Sequence, residues 1–145
     1  MPWRILMVDD HVLFRDALVQ SLAATPDVEV VGQAEDGLVA LQALSHSHPD
    51  MVCLDINMPG QNGVEITRQL LALKPDLRVI GVSAHADPLL VAQMLHAGAM
   101  GYVTKLRAGQ ELLDAIRQVG NNQTYLSPEL DGRVAAEMLR LASGP

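Results

Sequence analysis

Three aspartates, a serine and a lysine occupy matching places along the chain. Asp9 and Asp10 follow the apolar run from Ile5 to Val8, and Asp55 follows the run from Met51 to Leu54. Ser83 closes Val79 to Val82, and Lys105 comes just after Tyr102-Val103. Each run reads as a short strand, so these side chains gather at the carboxyl ends of strands. Carboxylates brought within a few ångströms repel one another, and without a counter-ion at least one pKa must rise. A hard divalent cation relieves that repulsion, and an all-oxygen set with open water positions suits Mg²⁺. A cation and an ammonium beside a carboxylate make a place for a visiting anion. A phosphoryl group fits, because its transfer depends on positioning and charge neutralisation more than on acid-base chemistry. An aspartate can itself be the nucleophile, forming an aspartyl phosphate.

Taken singly, each residue has an ordinary structural role. Asp10 would cap a helix beginning at His11-Val12. Asp55 would form a turn with the Asn57, Pro59 and Gly60 that follow. Ser83 would be a strand-end hydroxyl and Lys105 a solvated surface cation. None of these separate roles requires all of them to share one edge.

The elements that place the group follow from the hydrophobic period. Five strands are expected, at Ile5–Val8, Val28–Val31, Met51–Leu54, Val79–Val82 and Tyr102–Val103. The first, third and fourth are almost continuously apolar, as in strands buried on both faces of a parallel sheet. Between them lie helical stripes such as Phe14, Leu18 and Leu22, then Leu90, Val91, Met94 and Leu95, then Leu112, Leu113, Ile116 and Val119. Thr25-Pro26 and Lys74-Pro75 stop the first and third helices, because the residue before proline avoids helical angles. Asp36 and Asp87-Pro88 start the second and fourth, and Gly98 ends the fourth. Alternation of strand and helix through about residue 120 implies an α/β fold: a doubly wound, five-stranded parallel sheet with helices on both faces. In the commonest five-strand order, the reversal point where ligands bind lies between strands one and three, which end in the aspartates. After Gly120 the character changes. Tyr125-Leu126 reads as a short extended piece and Glu129 to Leu141 as one more helix, so residues 121–145 are expected to be a linker or an added helix.

The chain has 145 residues, 49% of them apolar, which fits one domain with a sizeable core. Ten Lys and Arg against seventeen Asp and Glu give a net charge of −7. That balance argues against this chain gripping nucleic acid or an anionic membrane by itself. The lone Cys53 excludes an internal disulfide and a cysteine-based zinc cluster, and reads as an apolar filler within a buried strand. The five histidines form no metal-ligating pattern. His46 and His48 lie in a polar turn, His96 has no obvious partner, and His85 stands close to Ser83. No apolar run approaches membrane-spanning length, and no secretory signal layout opens the chain. A cytoplasmic location is expected.

These motifs resemble the receiver domain of two-component response regulators. The residues that carry the likeness are Met7-Val8-Asp9-Asp10-His11, Asp55-Ile56-Asn57-Met58-Pro59-Gly60 with Gly63, Val82-Ser83-Ala84 and Gly101-Tyr102-Val103-Thr104-Lys105. The likeness covers residues 4 to about 120, and the wording of the first helix and of Tyr125-Leu126-Ser127-Pro128 is similar to the NarL/FixJ subfamily. It implies a flavodoxin-like sheet of order 2-1-3-4-5, with residues 1–120 as the receiver. It further implies that Asp55 is the phosphoacceptor. Mg²⁺ would be bound by Asp10, Asp55 and the main-chain carbonyl of Asn57, with Asp9 acting largely through water. Lys105 would pair with phosphoryl oxygens or with the free Asp55 carboxylate, Ser83 would hydrogen-bond the phosphoryl group, and Tyr102 would be the switch aromatic, turning inward as Ser83 moves. The donor would be a histidine kinase, and phosphorylation would favour a homodimer. Such a domain is a switch that catalyses only its own phosphorylation and dephosphorylation, and is otherwise no enzyme. The subfamily usually carries a LuxR-type DNA-binding domain after the receiver, so transcriptional output through a domain absent from this chain is expected. A free-standing receiver of the chemotaxis kind, acting by protein contact, is the alternative.

Two other chemistries fit poorly. A haloacid-dehalogenase-like phosphatase needs a second aspartate two residues after the nucleophile, where Asn57 stands and cannot protonate a leaving group. A serine hydrolase elbow on Gly81-Val82-Ser83 needs glycine where this chain has His85.

Overall fold

A computed structural model describes residues 2–84 and 87–143. Strands β1 (Trp3–Val8), β2 (Val28–Ala34), β3 (Met51–Asp55), β4 (Arg78–Ser83) and β5 (Gly101–Thr104) alternate with helices α1 (Val12–Ala23), α2 (Gly37–Ser47), α3 (Gly63–Leu73), α4 (Pro88–His96) and α5 (Lys105–Gly120). All paired strands are parallel, in the order β2-β1-β3-β4-β5, and a sixth strand, β6 (Tyr125–Leu126), extends the sheet beyond β5. The expected five-strand core is therefore present, with one strand added.

The period of two along each strand divides the core. Leu6, Val8, Val52, Leu54 and Val79 face α2, α3 and α4, packing with Ala40, Leu44, Leu70, Val91 and Met94. Ile5, Met7, Met51, Cys53, Ile80 and Val82 face α1 and α5, packing with Leu18, Leu22, Leu112 and Ile116. Burying each such side chain contributes about 1.5–3 kcal/mol before the entropy of ordering it is subtracted. The sheet is thus sealed on both faces and open to ligands only at its strand ends. Burial also pushes the Cys53 thiol up to about 12, so the side chain is an unreactive part of the core.

Helix limits agree with the expected punctuation, with one exception. The Asp36 side chain accepts from the Val39 N–H at 2.9 Å, and Asp87 accepts from Leu89 at 3.1 Å with Pro88 in the first turn. Gly98 has φ +114, and a Cβ there would sit 2.5 Å from the Leu71 side chain. Asp10 does not cap α1. His11 takes that position, and the carboxylate of Asp9 receives the His11 N–H at 2.8 Å. Asp9, not Asp10, therefore makes the local turn that starts the helix.

The segment after Gly120 is more than a linker. The Tyr125 N–H donates to Met100 O and the Ser127 N–H to Tyr102 O, which fastens β6 to the outer side of β5. Glu111 of α5 is buried and accepts from the Tyr125 hydroxyl at 2.7 Å and the Ser127 hydroxyl at 3.1 Å. Pro128–Leu130 form a single 3₁₀ turn, and α6 (Asp131–Ser143) then packs on α4, with Leu130 and Val134 buried beside Met94 and Tyr102. Leu130→Ala should cost about 2–4 kcal/mol in urea denaturation. A tail that merely hung from α5 would lose nothing measurable.

Candidate functional site

The pairing of β1 with β3 brings Val8 opposite Leu54, so Asp9 and Asp55 leave their strands side by side. Both are almost wholly buried, at 2% and 1% exposed. Two strands away, Lys105 opens α5, and its side chain reaches back over the sheet end. Its Nζ stands 3.2 Å from Asp9 Oδ2 and 3.2 Å from Asp55 Oδ2. The same ammonium lies 4.8 Å from the centre of the Phe14 ring, an attraction between cation and aromatic face that holds the stem against α1.

The rest of the site is a set of short-range latches. The Asn57 N–H donates to Asp55 Oδ1 at 2.9 Å. The Asn57 side-chain oxygen then accepts from the Ser83 hydroxyl at 2.9 Å and from the Ala84 N–H at 2.7 Å, linking the loops after β3 and β4. Asn62 starts α3 by accepting from Glu65 N–H at 3.1 Å. A Cβ on Gly63 would lie 2.9 Å from the Ile56 backbone, so only glycine lets α3 begin this close to Asp55. On the other side, Arg15 donates to the Asp9 carbonyl at 2.6 Å and to Gln33 at 2.9 Å, fixing the loop after β1.

Electrostatically the cluster is under-neutralised. Burial raises the Asp55 carboxyl above the ordinary carboxylate range and the charge of Asp9 raises it further, opposed by the Asn57 N–H and the Lys105 ammonium. Asp10 lines the more exposed side, and ligand atoms of Asp9, Asp10, His11 and Asp55 all lie within 4.8 Å of one another. Oxygen donors in excess of positive charge are what a hard divalent cation requires, so the residues fit Mg²⁺.

All of Asp9, Asp10, Asp55, Asn57, Ser83 and Lys105 come to this one edge. Tyr102 lies beneath it, fully buried, and burial pushes its phenol up to about 12. His85 lies outside the described residues. Sequence reading missed the part played by Arg15, by Phe14 and by the side chain of Asn57. It also missed His11, whose imidazole reaches the cluster although the histidines show no metal-ligating pattern along the chain. The only available signal was that His11, Phe14 and Arg15 lie within a few residues of Asp9-Asp10.

The family model for the response regulator receiver domain matches residues 5–117. The chain belongs to that family. Its relatives include the transcriptional regulatory protein DegU of Brevibacillus brevis, 37% identical over 97% of this chain and 59% of the relative. The response regulator GacA of Pseudomonas viridiflava is 39% identical over 91% of this chain and 62% of that protein. The chain thus spans about three fifths of the length of these relatives. A crystal structure of a LuxR-family two-component response regulator from Aurantimonas sp. SI85-9A1 superposes with a TM-score of 0.85 at 28% identity, covering 99% of this chain and 100% of that one. The receiver is thus of the NarL/LuxR type, a phospho-acceptor switch, and receivers hold Mg²⁺ at an acidic pocket of this kind.

Because the Asp55 pKa is raised on folding, its protonated form favours the fold. Wild-type stability should fall as pH climbs from the ordinary carboxylate range through the raised value. Asp55→Asn removes that loss. Without divalent cations at neutral pH the variant should melt higher than wild type, and Mg²⁺ should raise the wild-type midpoint more than the variant's. Melting curves at several pH values, with and without Mg²⁺, check both signs.

Proposed function

We propose that Asp55 accepts a phosphoryl group from a histidine kinase and that the receiver thereby controls transcription through a LuxR-type DNA-binding domain beyond residues 121–145. The observation that carries this reading is the buried Asp55 carboxylate, held by the Asn57 N–H on one oxygen and the Lys105 ammonium on the other. Asp10, Asp55 and the Asn57 main-chain carbonyl would hold Mg²⁺, with Asp9 acting through water. Bound there, Mg²⁺ neutralises charge on the carboxylates and on the transferring group.

The chain's own residues supply the rest. An Asp55 oxygen attacks phosphorus as the nitrogen–phosphorus bond of a phosphohistidine breaks, and the electron pair leaves with the imidazole nitrogen. Lys105 moves from the carboxylate to the phosphoryl oxygens, following the negative charge. Ser83 has a rotatable donor now spent on Asn57, and a phosphoryl oxygen is a stronger acceptor that draws it away. The receiver catalyses this transfer to itself and its own dephosphorylation, in which water takes the phosphoryl group and the Asp55 carboxylate leaves, and turns over no other substrate.

Tyr102 is already buried beneath the site in this structure. Its part in the switch is to respond, as the switch aromatic, to the movement of Ser83. On the face of α4, β5 and α5, α6 packs on α4 and β6 covers the β5 edge, while α5 keeps exposed residues such as Leu106. The signal reaches the β6–α6 segment first, and through it a second copy and the output domain. Among the described residues no helix is long and apolar enough to cross a membrane.

Acetyl phosphate with Mg²⁺ should add a phosphoryl group to the wild type, read by intact mass, and none to Asp55→Ala. Lys105→Ala should slow the addition about a hundredfold. Equal labelling of wild type and Asp55→Ala would overturn the acceptor. Tyr102→Ala should keep the phosphorylation and weaken the dimer or partner response, and equal loss of both would refute that separation of roles.

A further inference from the structure

His11 stands where α1 begins, with extended angles of φ −86 and ψ 98. Its N–H is bound to Asp9 Oδ1, and this local turn directs the imidazole into the acidic cluster instead of away from it. Nδ1 lies 3.4 Å from Asp9 Oδ1 and 3.5 Å from Asp10 Oδ1. It also lies 3.0 Å from the Lys105 Nζ. An ammonium group has donors only, so this contact assigns Nδ1 as the acceptor. Nδ1 therefore faces the same space that the carboxylates line, and the outer part of the side chain, 67% exposed, faces solvent.

A ring nitrogen changes the kind of ion the site prefers. Oxygen donors suit Mg²⁺ and Mn²⁺ alike, whereas an imidazole nitrogen suits first-row transition ions better than Mg²⁺, so a mainly oxygen set with one nitrogen shifts from Mg²⁺ toward Mn²⁺. We propose that His11 Nδ1 is a metal ligand in this receiver, making the acidic pocket a mixed carboxylate–imidazole centre that binds Mn²⁺ in preference to Mg²⁺. The ion takes over the lone pair that Lys105 now holds, and the ammonium keeps its carboxylate partners or turns to an incoming phosphoryl group. The inference rests on the reading that the cluster holds a divalent cation, and adds a ligand and a preference to it.

The test uses the full chain loaded with Mn²⁺ and pulsed electron paramagnetic resonance, which detects nitrogen bound to the ion without reference to activity. The wild type should show ¹⁴N modulation from one imidazole, and His11→Ala should show none. In parallel titrations His11→Ala should weaken Mn²⁺ about tenfold or more while changing Mg²⁺ less than about twofold. The ring is exposed and outside the core, so the substitution leaves the fold intact, and His11→Gln supplies a second variant without a ring nitrogen. Binding of both ions with no nitrogen signal would overturn the His11 ligand and leave the metal pocket standing. Equal weakening of Mn²⁺ and Mg²⁺ would show that His11 only positions Lys105 or the aspartates. Binding of neither ion to the wild type would overturn both readings.

Discussion

Two carboxylates are held side by side out of water, and a single ammonium reaches both. Asp9 and Asp55 repel, and burial makes each charge more costly, so their closeness must be enforced by something stronger than their own preference. The enforcing structure is the register between β1 and β3, which is fixed because a slip of one residue would turn Leu6, Val8, Val52 and Leu54 to the wrong face. Hydrophobic packing over the length of the sheet thus sustains an electrostatic conflict at its end. Such a conflict is useful when it is resolved only by a visitor, which under the proposed function is a cation and then an anion.

The conflict stays local because the loops that carry it are latched. Arg15 holds the Asp9 carbonyl, the Asn57 N–H holds Asp55, and the Asn57 side chain holds Ser83 and Ala84. Under the proposed function, the Asn57 bridge gives an event at Asp55 a route to the end of β4. Ser83 is the last residue of β4, and its hydroxyl has to choose between the amide oxygen and any better acceptor placed on Asp55. Adding charge at one point thereby changes which loop is tied to which.

Much of this was legible in the residues. Continuous apolar runs are the mark of strands covered on both faces, and β1, β3 and β4 are such runs. The polar residues that end them then had only one edge on which to lie. What escaped sequence reading shares a physical cause. The short extended piece at Tyr125-Leu126 was expected, but not its pairing on β5, because two residues show no period and their anchor is Glu111, a charged residue on a helix whose burial no pattern announces. His11 and Asp10 were exchanged in role for a similar reason: whether Asp9 or Asp10 makes the turn that starts α1 depends on backbone angles that composition does not specify. Side-chain reach, as for Lys105 and Phe14, depends on tertiary placement and is invisible along the chain.

The two rims of the sheet have a bearing on solubility. Strand edges offer unpaired amide and carbonyl groups to any passing chain. At one rim the register of β2 on β1 shifts between Val30 and Gly32, an irregularity that spoils a flat template. At the other rim β6 and α6 sit as a cover over β5 and the apolar side of α4. Cutting the protein after α5, where the family match and the expected receiver boundary both fall, would strip that cover. The fragment would keep every group of the proposed phosphorylation site yet carry a bare, sticky margin, and self-association seen with it would report the cut and not the switch.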